Sequence, residues 1–125
     1  MPKVSKESAA QVQDHGQVLD RHEDIDGYTV NFVTFREDVD GTLLLRGLPD
    51  DQCACPHWGY VLKGRVTYRY PDHEEVFEEG DAFYLPRGHV PLASAGSEIV
   101  QFSPTAELRL TEAAIEENLR RLSAG

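Results

Sequence analysis

Cys53-Ala54-Cys55-Pro56-His57 sets three metal-capable side chains at alternate positions, just ahead of a strand-like run that ends at Gly64. In an extended strand alternate residues share one face, so two thiols and an imidazole point to one side of a sheet. They are the only two cysteines and one of five histidines in the chain. Thiolate and imidazole together suit zinc best, and iron or copper(I) are the other ions such donors accept. Cys53 and His57 lie roughly 13 Å apart in a straight strand. A cysteine reaches a metal from about 4.5 Å and a histidine from about 6.5 Å, so Cys53 joins His57 only if the chain bends. Pro56 permits a bend because it donates no ladder hydrogen bond. Cys55, about 6.6 Å from His57, needs none. Both cysteines stand as candidates. A disulfide between them would be strained at that separation.

These residues need a β scaffold to hold them, and the chain supplies one. Tyr28–Phe35 is rich in β-branched and aromatic residues and reads as a strand. Asp38–Gly41 is a turn signal, Thr42–Arg46 a second strand, and Gly47–Asp51 a loop leading to the cysteines. Gly59–Leu62 and Arg65–Tyr70 bracket Lys63-Gly64, a tight hairpin candidate. Pro71–His73 turns into a short strand at Glu74–Phe77, and Glu79–Asp81 turns again into Ala82–Leu85. Pro86–His89 breaks that strand, and Glu98–Phe102 is the last strong one. Many short strands between turn signals indicate a sandwich or small barrel. Residues 1–20 read as a short helix or a loose arm. Thr111 is a candidate cap for a helix running to about Leu122, with Ile115, Leu119 and Leu122 on the face that docks on the sheets. The expected divisions are an N-terminal arm at 1–27, a barrel at 28–103 and a helical tail at 104–125.

The turn punctuation resembles a single-domain cupin, a small all-β double-stranded β-helix. That family's second motif matches at Gly80, Pro86 and Gly88, and its first motif ends correctly at Gly64. Counting back from Gly64, His57 takes the place of the family's glutamate, Cys53 that of its second histidine and Asp51 that of its first. The histidine of the second motif falls on Pro91, and the nearest histidine is His89. A shift of two keeps the same strand face, so His89 still looks into the barrel. The resemblance thus implies an all-β cupin barrel with a C-terminal helix and a variant metal set of Cys53, Cys55, His57 and His89. If all four bind, the sphere is closed and structural. If three bind, a position opens for water or substrate. The implied function is a metal-dependent enzyme acting on a small molecule inside the barrel. The alternative is a non-catalytic small-molecule-binding or metal- and redox-sensing module. The resemblance also implies a homodimer associating through its sheets.

Length and composition fit one domain, with 125 residues of which 40% are apolar. Net charge is −10, from 12 basic and 22 acidic residues, so neither nucleic acid nor an acidic membrane surface is an expected partner. The polar stretch Met1–Gln13 lacks the apolar centre of a signal peptide, which points to the cytoplasm and to reduced thiols. No Ser-His-Asp triad, phosphate loop or dinucleotide motif is visible. The remaining polar and aromatic residues read more simply. Asp51 is a turn residue, and His15, His22 and His73 are surface or loop histidines. Trp58 points away from His57 and reads as a packing residue. Tyr60, Tyr68, Tyr70, Phe83 and Tyr84 are mainly core, with one tyrosine free to face a bound ligand. Glu74, Glu75, Glu78 and Glu79 form a solvated face.

Overall fold

Alternation of apolar and polar residues builds strands that bury one face each, and two such sheets close over a shared core. The structure, a computed structural model, describes residues 3–42, 45 and 55–124. Its strands are β1 (Gln11–Asp14), β2 (Val18–Ile25), β3 (Tyr28–Phe35), β4 (Val39–Asp40) and β5 (His57–Lys63). They continue as β6 (Arg65–Arg69), β7 (Glu74–Glu78), β8 (Ala82–Leu85), β9 (Val90–Ala93) and β10 (Glu98–Pro104), and helix α1 spans Thr105–Ala124. Among the described residues one sheet has six strands in the order β1-β2-β3-β10-β5-β8, the other four in the order β4-β9-β6-β7. Strand pairing is antiparallel throughout. Phe35, Val61, Phe83, Leu85 and Ile99 from the first sheet meet Val39, Val66, Tyr68 and Ala93 from the second in the main core. Full burial of a valine, leucine, isoleucine or phenylalanine among them contributes about 1.5–3 kcal/mol.

Several local expectations change. Residues 11–25 are not a helix or a loose arm but two strands of the larger sheet. Asp26-Gly27 makes the two-residue β2–β3 turn, with φ of 52° and 84° and Ile25 paired to Tyr28. Asp-Gly suits this turn because both central residues need positive φ. Lys63-Gly64 is not a hairpin: β5 and β6 belong to different sheets. Gly64, at φ 74°, turns the corner so closely that a Cβ there would sit 2.5 Å from Ser97 Oγ. Val39–Asp40, expected in a turn, pairs with β9 because Val39 buries itself in the core. β9 went unread because Pro91 interrupts its strand pattern. The proposed strand at Thr42–Arg46 falls mostly outside the described residues; Thr42 and Leu45 are in turn conformation.

The helix starts earlier than expected. It begins at Thr105, directly after β10, with Thr105 N–H bonded to Gly27 O at 3.0 Å. Thr111 is therefore not a cap but a buried interior residue, since the 3.6-residue pattern already runs from Leu108. Leu108, Thr111, Ile115 and Asn118 form the inward stripe at spacings of three and four. Leu108 and Ile115 pack with Leu45, Cys55 and Val90 in a second cluster. The side chains of Leu119 and Leu122 lie outside those described. The helix does not sit on an outer sheet face. It closes one mouth of the space between the sheets.

Candidate functional site

The inner face of the six-stranded sheet carries an unusual amount of polarity. Registers β2–β3, β3–β10 and β10–β5 place Asp20, His22, Asn31, Gln101, Ser103 and His57 on one side. Buried polar groups persist only where partners offset their desolvation. His57, 5% exposed, has Nδ1 2.6 Å from Ser103 Oγ. His89, 1% exposed, stands on the Pro86–Gly88 turn before β9, and its Nδ1 lies 2.8 Å from Pro86 O. A carbonyl only accepts, so Nδ1 of His89 carries the hydrogen and Nε2 is the lone-pair nitrogen.

The two rings are neighbours, with centroids 5.0 Å apart at 60°. Tyr68 meets His89 edge-on at 5.7 Å. Burial pushes the His57 pKa down to about 3, and the charge on His89 pushes the same way. Burial also lowers His89, against the bond to Pro86 O, which raises it. Both imidazoles are therefore neutral near pH 7 and available as bases or metal ligands.

They line a cavity of about 150 Å³. Its polar wall includes Asn31, Gln101 and Asp20, and its apolar wall includes Val33, Phe35 and Ile99. Leu108, Thr111, Glu112 and Ile115 of α1 close it. Pro91 lines it too, so the expected position and its replacement His89 both reach the same space.

Cys55 is fully buried in the helix-side cluster with Leu45, Val90 and Leu108, its Sγ 3.5 Å from Pro56 O. Cys55 sits in a bend ahead of β5 and so does not share the strand face of His57, because Pro56 interrupts the strand before it. Its sulfur and the two imidazoles do not all lie within 4.8 Å of one another. Cys53 and Asp51 lie outside the described residues.

Other side chains depart from expectation. His22 is not a surface residue: it is 5% exposed, because β2 is an internal strand whose inward face α1 covers. His15 lines the cavity, half-buried, while His73 is an exposed loop residue stacked on Tyr70. Tyr68, Tyr70 and Phe83 are core, but Tyr60 and Tyr84 are exposed. Trp58 does point opposite to His57, but it is 62% exposed and not a core packing residue, because no element among the described residues covers the outer face of the larger sheet there. Missed by sequence reasoning were Asp20, Asn31, Gln101 and Glu112. The alternation Val18, Asp20, His22 was the available signal for β2, but it does not say which face is covered.

No family model matches the chain, and no curated protein matches it by sequence. Solved structures do match. An RmlC-like cupin from Shewanella frigidimarina aligns over 81% of this chain and 88% of its own, at 15% identity and a TM-score of 0.58. The polyketide cyclase RemF from Streptomyces resistomycificus aligns over 83% and 79%, at 15% identity and 0.60. KdgF from Halomonas sp. aligns over 75% and 86%, at 20% identity and 0.54. The fold is that of the cupins, two antiparallel sheets with a C-terminal helix. No helix among the described residues is long and apolar enough to cross a membrane.

Proposed function

We propose that this cupin-fold chain binds a divalent metal through His57 and His89 and acts on a small molecule in the adjoining cavity. The observation that carries this is the buried imidazole pair at the cavity wall, with centroids 5.0 Å apart. Two imidazoles sharing one tetrahedral zinc hold their centroids roughly 5 Å apart, on usual bond lengths. The His89 bond to Pro86 O supports the same reading, because ligating histidines donate their other N–H to such acceptors. A thiolate from Cys53 or Cys55 is the third ligand we propose, and it favours zinc over iron or copper(I). The Cys55 sulfur and the two imidazoles are not all within 4.8 Å of one another, so the sulfur would have to turn toward them on metal binding.

A bound zinc would supply Lewis acidity toward a carbonyl or activate water. The chain's own residues would do the rest. Asn31 and Gln101 present amides to orient a polar ligand, Tyr68 fixes the His89 ring, and α1 excludes water. The activity of RemF, a polyketide cyclase, makes catalysis in this fold the preferred form of the proposal. The small cavity favours the alternative, a binding or sensing module for a compact ligand.

Cobalt loading tests the metal reading. A thiolate charge-transfer band is expected, lost in Cys55→Ser or Cys53→Ser, and His57→Ala and His89→Ala should each weaken binding at least about 100-fold. Full occupancy in both histidine variants would overturn it.

The proposal includes a homodimer. Phe102, Trp58 and Tyr84 form a cross-strand row on the outer face of the six-stranded sheet, each more than two-fifths exposed. Such a row is the kind of apolar patch that marks an interface. Trp58→Asp should convert a dimer to monomer in sedimentation, and an unchanged mass would remove this face from consideration. Retention in the cytoplasm is part of the same proposal, and a fluorescent fusion tests it.

A further inference from the structure

We propose that Asp20, His22 and Glu112 form a second divalent-cation site, at the seam of β2 and α1, that clamps the helix over the cavity. One ligand atom from each lies within 4.8 Å of the others. Asp20 and His22 share the inward face of β2, and Glu112 descends from the helix. This site shares no residue with the His57–His89 pair.

Its chemistry lacks something. His22 is 5% exposed, yet its Nδ1 has no hydrogen-bond partner. The nearest acidic oxygen, Asp20 Oδ1, is 3.6 Å away, beyond hydrogen-bond reach. A buried nitrogen in that state costs free energy unless a proton or a cation engages it. Asn31 Nδ2 donates to both Asp20 oxygens, at 3.0 and 3.2 Å, which fixes the carboxylate in place. Asn31 Oδ1 is itself buried without a partner.

The charge balance points the same way. Arg109 donates to Glu112 Oε1 at 2.8 Å. Burial raises the pKa of both Asp20 and Glu112, and the Asp20 charge raises Glu112 further. Arg109 is shared with Asp24, so it does not balance both Asp20 and Glu112. A divalent ion would neutralise them and take the orphaned imidazole as its third ligand. Ligands about 2.1 Å from one ion sit roughly 3–4 Å from each other, so side-chain closure of about 1 Å suffices. An approach path exists: His22 and Glu112 also line a surface cleft with Gln11, Gln13 and Arg109. One imidazole with two carboxylates suits zinc or manganese. Because Asp20 and Glu112 also line the cavity, the ion would hold its lid.

The test is zinc titration of the full chain carrying His57→Ala and His89→Ala, which isolates the seam. One equivalent should still bind. Adding His22→Gln or Glu112→Gln should weaken it at least tenfold, with circular dichroism unchanged. Cobalt in this background should show no thiolate band and should ignore Cys55→Ser, which separates this site from the one under the proposed function. Amide exchange in α1 should slow on zinc addition, but not in the Glu112→Gln chain. If the background variant does not fold, Glu112→Gln alone should remove one equivalent from the otherwise unaltered protein. Absence of zinc binding in the folded background, or binding indifferent to both substitutions, would overturn the proposal.

Discussion

His57 and His89 line the same cavity as Asp20 and Glu112, while His22 opens on the cleft beside it; His57 on β5 and Asp20 and His22 on β2 stand three strand spacings, or about 14 Å, apart. The first group is made of bases, and burial drives their pKa values down. Each has an acceptor or hydroxyl beside Nδ1, so the pair is held in place without an ion. The second is mostly acid, and burial drives its carboxyl pKa values up. It keeps an imidazole nitrogen without a partner. Burial thus leaves the first group satisfied and the second short of positive charge. The first should tolerate the metal-free state, and the second should gain most from a cation.

The largest test of that contrast is pH. His57 and His89 have folded pKa values below the ordinary 6.5. Their contribution to stability is fully present above 6.5 and is lost as pH falls toward about 3, where His57 titrates in the folded chain. The loss runs at up to roughly 1.4 kcal/mol per pH unit for each histidine. Denaturant melts of metal-free wild type and His57→Gln should therefore diverge progressively below pH 6.5. Asp20 and Glu112 have the opposite sign. Their raised folded values mean stability present below the ordinary 3.8 and 4.5 and lost as pH rises through the folded values. Asp20→Asn should flatten that loss above pH 3.8. Parallel pH profiles for all these variants would erase the distinction.

A backbone test comes next. A Cβ on Gly59 would stand 2.3 Å from Phe83 Cζ and 2.7 Å from Val100 O. Gly59→Ala should cost about 3 kcal/mol in a urea melt and impair metal binding at His57, two residues away. Zinc binding at the seam, on a different strand, should survive. Equal loss at both places would show that they are one coupled unit.

The smallest effects separate satisfied from unsatisfied nitrogen. Ser103→Ala removes the His57 partner and should cost about 1–3 kcal/mol in the metal-free protein. His22→Leu removes a nitrogen that has no bond to lose, and should change metal-free stability by less than about 1 kcal/mol. Thermal melts of both, run side by side, read the difference directly. A larger loss in His22→Leu would mean that the imidazole already has a role without an ion.

How much of this could be read in advance depended on distance along the chain. The strands at Tyr28–Phe35, Ala82–Leu85 and Glu98–Phe102 were legible, because alternation and β-branched content act locally. The spacing of Gly64, Gly80, Pro86 and Gly88 pointed to the fold, because a tight turn demands residue types that few positions tolerate. Alternation placed His57 opposite Trp58, as found, but it also placed Cys55 on the same strand face, which the bend ahead of β5 prevents. Asp26-Gly27 carried a hairpin signal that would have extended the sheet back into β2. The seam cluster was not legible: Asp20 and Glu112 come from elements at opposite ends of the chain, and no spacing rule joins them.

Taken alone, the sequence determined which residues alternate, where the chain must turn and which helix face is apolar. These follow from backbone sterics and a period of two or 3.6. Only the tertiary structure decided that Gly64 passes the chain from one sheet to the other, since the same short loop also serves a hairpin. Only it decided that His22 is buried, that Trp58 and Tyr84 are exposed, and that α1 closes the cavity rather than covering an outer face. The reason is physical. A strand's sequence specifies its two faces, but burial belongs to whatever packs against them. Packing partners are chosen by the whole chain.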